Sequence, residues 1–170
     1  YTILGASVNV TDEEITLNGA ICEVRYNSGA AAENSLTFDI EVNNIEHYAA
    51  DVRITPSDLN AEYYYYIDYI NNSKKSMKPI DIATSAINEY IYYWDLNELK
   101  RREPSKGIID LTGDNKLQLN IAETEYYIVA FGFEPNPTYG QLINEETGEY
   151  DTNPGTITSA PVYVAFITSA

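Results

Sequence analysis

Residues 61–70 read AEYYYYIDYI, with tyrosines at positions 63, 64, 65, 66 and 69. A β-strand sends successive side chains to opposite faces. On that alternation Tyr63, Tyr65, Ile67 and Tyr69 share one face, and Tyr64, Tyr66 and Ile70 share the other. Only Asp68 breaks the apolar run. A strand that is apolar on both faces has to be covered on both. The cover of the second face is either more protein or a ligand, and the fold turns on which.

Two other stretches behave the same way. YYIVAFGF (126–133) and VYVAFI (162–167) are apolar on both faces. SLTFDIEV (35–42), YAADVRI (48–54) and KLQLNI (116–121) instead alternate apolar with polar. In the first, Leu36, Phe38, Ile40 and Val42 face inward. In the second, Tyr48, Ala50, Val52 and Ile54 do so, and in the third Leu117, Leu119 and Ile121. Alternation of this kind marks an antiparallel sheet with one wet face. With the strand at the start of GIIDLTGDNKLQLN (107–120), the strands number seven. Their order predicts a mainly β chain, a two-sheet antiparallel sandwich with one one-sided and one two-sided sheet.

The helical signal falls between them. Ala83, Ile87, Tyr90, Ile91 and Trp94 lie at i, i+4, i+7, i+8 and i+11, one face of a helix. Lys100, Arg101 and Arg102 suit a helix C-terminus, and Glu103-Pro104 ends it. Asp95 and Glu98 leave room for a break near 95 and a second short helix. The expected helical insertion spans about 79–103, after the tyrosine strand. Residues 134–155 are too long for a hairpin connection and read as a surface loop with room for a short hairpin. Residues 1–35 form a separate N-terminal β segment. ASVNV, a TDEE turn (11–14) and ITLNGAICEVRY suggest a hairpin or two edge strands, followed by a polar loop at 27–35. They are either extra edge strands of the 36–170 domain or the remnant of a preceding module.

The chain has 170 residues, 26 acidic and 10 basic, for a net charge of −16. Such a field repels nucleic acid and anionic membrane. The charge is uneven. Positions 74–106 hold seven basic and five acidic residues (+2), leaving three basic and 21 acidic elsewhere (−18). The insertion is therefore expected to dock on an acidic body. No apolar run reaches the roughly 20 residues that span a bilayer. The start carries no signal-peptide pattern, and Tyr1 reads as the start of a mature or trimmed fragment.

Several of these residues resemble a known family. VRITPSD (52–58) looks like the second strand of a fibronectin type III domain, with Ile54 where that family usually has tryptophan. TEYYIVAFGFE (124–134) looks like its sixth strand, with Tyr126 as the corner tyrosine whose hydroxyl bonds back to the backbone upstream. Asn120 and Ala122 replace the leucine and proline usual before it. The ordered set of PSD, YYYY, a helix, TEYYIVAFG and FIT (166–168) is similar to modules of surface lipoproteins from gut Bacteroidetes, over roughly 36–169. The resemblance implies an exported, cell-surface, lipid-anchored protein at the outer membrane. It also implies a non-catalytic binding or adhesion module, carbohydrate-related. A structural spacer or assembly subunit, and an accessory domain of a glycan-degrading enzyme, stay open as alternatives. The expected partner is a glycan or another surface protein.

Little in the chain points to catalysis. His47 is the one histidine and Cys22 the one cysteine, which excludes a multi-histidine metal site and an internal disulfide. Cys22 reads as a small buried residue. Asp110 to Asn115 and Asn144 to Glu149 carry the oxygens calcium takes, but neither matches the twelve-residue calcium loop, and both read as solvated turns. No metal or other cofactor is expected. The tyrosines remain. Candidate ligand-binding residues are Tyr64 and Tyr66 on the second face of the strand, Tyr92 and Tyr93 on the helix, and Tyr139 and Tyr150 in the long loop. Ile87, Ile91 and Trp94 are expected to cover Tyr64 and Tyr66, leaving the other four exposed.

Overall fold

The computed structural model describes residues 36–170 throughout and, ahead of them, the backbones of four strands, Thr2–Gly5, Val8–Val10, Ile15–Leu17 and Cys22–Tyr26. The expected turn at 11–14, the loop at 27–35 and the environment of the Cys22 thiol lie outside the described residues. Over the described residues the chain is mainly β, built from antiparallel sheets with one α-helix.

The one-sided sheet centres on Ala49–Pro56. Phe38–Asn43 pairs along one edge, with Ile40 opposite Ile54. Ile109–Leu111 and Leu117–Gln118 pair successively along the other edge, as one strand interrupted by the turn at Gly113–Asn115. Phe38, Ile40, Val42, Val52 and Ile54 are buried, while Asp39, Glu41 and Arg53 face water. The alternation fails at two ends. Tyr48 is 51% exposed and Ala49 turns inward, because the strand begins only at Ala49. Ile121 is 46% exposed, since the strand ends at Gln118.

The two-sided sheet has the order Thr2–Gly5, Cys22–Tyr26, Val162–Ile167, Glu125–Phe131, Glu62–Tyr69, Ser105–Lys106. Its inner face carries Tyr63, Tyr126, Ile128, Ala130, Val164 and Phe166. These pack with Phe38, Ile40, Val52 and Ile54 of the facing sheet in one apolar cluster. The arrangement is sandwich-like. Tyr126 ties its edge: the hydroxyl donates to the Ile121 carbonyl at 3.2 Å and accepts from the Ile121 N–H at 3.0 Å.

The outer face carries Tyr64, Tyr127, Val129, Phe131, Tyr163 and Ala165, and a second apolar cluster forms there under the helix. The helix starts at Pro79, a residue suited to a first turn that needs no N–H donor. The Lys78 N–H donates to the Asp81 carboxylate at 3.2 Å, which fixes that end. Pro79–Ala86 is α-helical and widens over Ile87–Ile91 into a π turn. Ile82, Ala83, Ala86, Ile87 and Ile91 are buried against the sheet. Burying each large side chain of this kind contributes about 1.5–3 kcal/mol. Cover for the second face of the tyrosine strand is thus protein.

The insertion departs from expectation beyond Ile91. Residues 92–101 are a β-hairpin, Tyr92–Asp95 against Glu98–Arg101, not a helix continuing to 103. Leu96 and Asn97 have φ of 49° and 68°, the pair of left-handed residues that a tight hairpin turn requires. Trp94 consequently leaves the helical face and stands 70% exposed, so it does not cover Tyr64 or Tyr66. Docking is also mainly apolar. Just ahead of the helix, Lys74 pairs with Asp68 of the tyrosine strand at 2.8 Å. Lys74 is buried, donates to the Tyr127 hydroxyl at 3.2 Å and sits over its ring.

Candidate functional site

The hairpin turns one face toward the loop that follows Phe133–Pro135. Tyr92 opposes Arg101 and Trp94 opposes Leu99, so these four side chains share a face. Two contacts show where it points. The Tyr92 and Tyr139 rings lie 4.5 Å apart, and Leu99 sits where a Cβ on Gly140 would meet its Cδ2 at 2.5 Å. Gly140 also has φ +77°, so glycine is needed there for conformation as well as space.

Between hairpin and loop opens a cleft of about 570 Å³. Trp94 stands at its mouth and Tyr92 with Tyr139 at its wall. Pro135, Pro137 and Gln141 complete the far side, and Glu98, Lys100 and Arg101 border the hairpin side. Clefts of roughly 300–1,000 Å³, lined by aromatic groups with a few polar ones, are the usual form of a small-ligand site.

Hydrogen bonds hold the loop. Asn136 donates from its side chain to the Asp151 carboxylate at 2.8 Å and to the Asn153 carbonyl at 2.9 Å. Thr138 donates to the same Asp151 oxygen at 2.6 Å. The Gly140 N–H donates to the Asp151 carbonyl at 2.8 Å, and the Tyr92 hydroxyl reaches the Pro154 carbonyl at 2.7 Å. Bonds from Thr138, the Asn153 backbone and Asn136 favour the charged carboxylate and hold the Asp151 pKa below its ordinary value. Burial raises the Tyr92 hydroxyl above its ordinary value, so it remains a donor. The cleft thus has a fixed wall.

The six candidate tyrosines separate cleanly. Tyr92 and Tyr139 meet in the cleft. Tyr92 is on a strand rather than a helix and is only half-exposed. Tyr93 is 46% exposed but belongs to the opposite face of the hairpin. Tyr150 is 58% exposed on a separate hairpin, Leu142–Asn144 with Glu149–Tyr150. Tyr64 is 4% exposed, and its hydroxyl donates to the Arg102 carbonyl at 3.2 Å. Tyr66 is half-buried and stacked on Tyr90 at 3.7 Å, with burial pushing its hydroxyl pKa far up. Neither Tyr64 nor Tyr66 reaches the cleft. Trp94 does, and sequence spacing missed it by assigning it to the helix. Its i+2 relation to Tyr92 was the available signal.

Comparison of the chain with family models, with known proteins and with solved structures finds no match.

Proposed function

We propose that the chain is a non-catalytic carbohydrate-binding or adhesion module of fibronectin type III-like build, displayed at a cell surface, and that the cleft beside Trp94 is its ligand site. One observation carries this reading: the chain's single tryptophan is left 70% exposed at the mouth of an aromatic-lined cleft, beside Tyr92 and Tyr139. An indole in water contributes little to folding, and exposed aromatic surface beside a cleft marks recognition. Its flat apolar face suits the C–H face of a sugar ring. The Gln141 amide oxygen and the charged rim are hydrogen-bonding groups of the kind that sugar hydroxyls need.

The fibronectin type III-like assignment is supported by topology. The first two strands after residue 36 share a sheet with 109–118, while the tyrosine strand, Glu125–Phe131 and Val162–Ile167 form the other. The Tyr126 hydroxyl bonded to backbone five residues upstream supports it further. Similarity of the ordered motifs to surface lipoprotein modules of gut Bacteroidetes supports the surface location. Protease shaving of intact producing cells tests that location: a chain protected until lysis would refute it.

A glycan array followed by isothermal titration calorimetry tests the ligand reading, with Trp94→Ala as the comparison. Binding that Trp94→Ala abolishes while leaving the melting temperature unchanged is expected. Absence of binding to any polysaccharide offered would refute it. A second reading, an assembly or spacer subunit, draws on Leu142, Ile143 and Tyr150, 46%, 57% and 58% exposed on one hairpin. Light scattering across concentration tests it; a strict monomer argues against it.

A further inference from the structure

We infer that the cleft selects an acidic saccharide, one bearing a uronate or sialate carboxylate, and that Arg101 is the residue that receives this group. The inference rests on the carbohydrate reading above and narrows it. The cleft-facing side of the hairpin presents Tyr92, Trp94, Leu99 and Arg101, so Arg101 is the charged member of that face. Glu98 and Lys100 border the cleft from the other face of the strand, where Lys100 is already paired with Asp95 at 2.9 Å. The opposing wall contributes Pro135, Asn136, Pro137, Tyr139, Gly140 and Gln141, none of them charged.

Among the described residues no carboxylate pairs with Arg101, although the chain has 26 acidic residues to offer. Arg53, Lys74, Lys100 and Lys116 each have such a partner, and of the described cations that do not, Arg101 is the one that borders the cleft. The guanidinium therefore stands unpaired at an aromatic cleft whose border it shares with the Glu98 carboxylate, on a protein of net charge −16. A guanidinium offers a planar fork of donors that fits a carboxylate bidentately, and it discriminates a charged group from a neutral hydroxyl. Screening over about 10 Å at ordinary ionic strength keeps the acidic body from cancelling this contact. Trp94 and Tyr92 would hold the sugar plane, and Arg101 would read the acid.

The test is titration of oligouronides and sialylated oligosaccharides against their carboxyl-reduced counterparts, on the wild-type chain, Arg101→Gln, Arg101→Lys and Trp94→Ala. Expected is binding of one or more acidic probes, with the reduced counterpart at least 10-fold weaker. Arg101→Gln should lose about 10- to 100-fold for the acidic probe alone. Arg101→Lys should recover part of that loss, because it keeps the charge but not the fork. Trp94→Ala should weaken acidic and reduced probes together. Arg101 is exposed, so unchanged melting temperatures will show that the variants fold. Equal binding of acidic and reduced probes, or an Arg101→Gln variant that keeps full affinity, overturns the inference and leaves the carbohydrate reading standing. Failure of every probe, neutral and acidic, overturns both.

Discussion

Two aromatic regions of this chain flank the junction of helix and hairpin and have opposite fates. On the outer face of the tyrosine sheet, Tyr64, Tyr127, Phe131 and Tyr163 are closed over by Ile82, Ile87 and Ile91. In the cleft, Tyr92, Trp94 and Tyr139 line a wall that no described element covers. The element that closes one region ends in the element that opens the other. Ile91 is the last buried residue of the helix, and Tyr92 is the first of the hairpin. Aromatic content alone therefore says nothing of use; what differs is whether the neighbouring backbone is a helix facing inward or a hairpin standing clear.

The sharpest way to separate the two regions is to truncate one aromatic in each. Phe131→Ala, at a fully buried position, should cost about 3–5 kcal/mol in urea unfolding. Trp94→Ala should change stability by no more than about 0.5 kcal/mol while removing ligand binding. Equal stability losses would mean that the cleft is part of the core, and the contrast would collapse.

Next in size is Gly140→Ala, which tests what holds the cleft in shape. The new methyl meets Leu99 and the backbone sits at positive φ, so a loss of about 1–2 kcal/mol is expected, with weaker ligand binding. A variant of full stability and affinity would show that the hairpin is not seated by Leu99.

The covered region should also set an alkaline limit. Burial pushes the Tyr127 hydroxyl up to about 12, despite the opposing pull of Lys74, and on the inner face of the same sheet pushes Tyr63 up to about 12. Burial alone would lower the Lys74 ammonium, but its bonds to Asp68 and Tyr127 prevail and raise it. Groups whose pKa is raised by folding contribute stability below the unfolded value and lose it as pH climbs toward the folded one. Unfolding free energy should be flat from neutral pH to about 10 and fall above that. Tyr127→Phe should flatten part of that fall; an unchanged alkaline profile would remove Tyr127 from this account.

The smallest effect belongs to the cleft wall at the acid end. Asp151 has its pKa depressed by its bonds to Thr138, Asn153 and Asn136. Its contribution is present above the ordinary carboxylate range and is lost as pH falls through the lower folded value. Limited proteolysis within 136–153 should stay slow down to that range and quicken below it. Asp151→Asn should show the quickened rate at neutral pH, and a rate equal to wild type would sink this role.

The sandwich-like layers were legible because they rest on alternation, a local property. Phe38, Ile40 and Val42 against Asp39 and Glu41 can be read without a partner. The doubly apolar tyrosine strand predicted its own cover, and the apolar stripe from Ala83 through Ile87 to Ile91 marked the helix that supplies it. The hairpin at 92–101 was hidden because Trp94 satisfies two periods at once, eleven residues after Ala83 and two after Tyr92. Its turn, Leu96-Asn97, also lacks the glycine that usually announces such a reversal. The cleft was less legible still. Its walls are about 40 residues apart in sequence, and they meet because Leu99 fits over a glycine, a three-dimensional coincidence that no local pattern encodes.

Trp94 has an optical consequence. It is the chain's one tryptophan, and it stands outside both apolar clusters. Emission excited selectively at the indole therefore reports the cleft mouth and hardly the interior. A bound sugar ring or a shifted hairpin will change that signal with the sandwich intact. Conversely, unfolding followed by tryptophan fluorescence will track loss of the hairpin, and only far-ultraviolet circular dichroism or the tyrosine signal will show when the sheets themselves come apart.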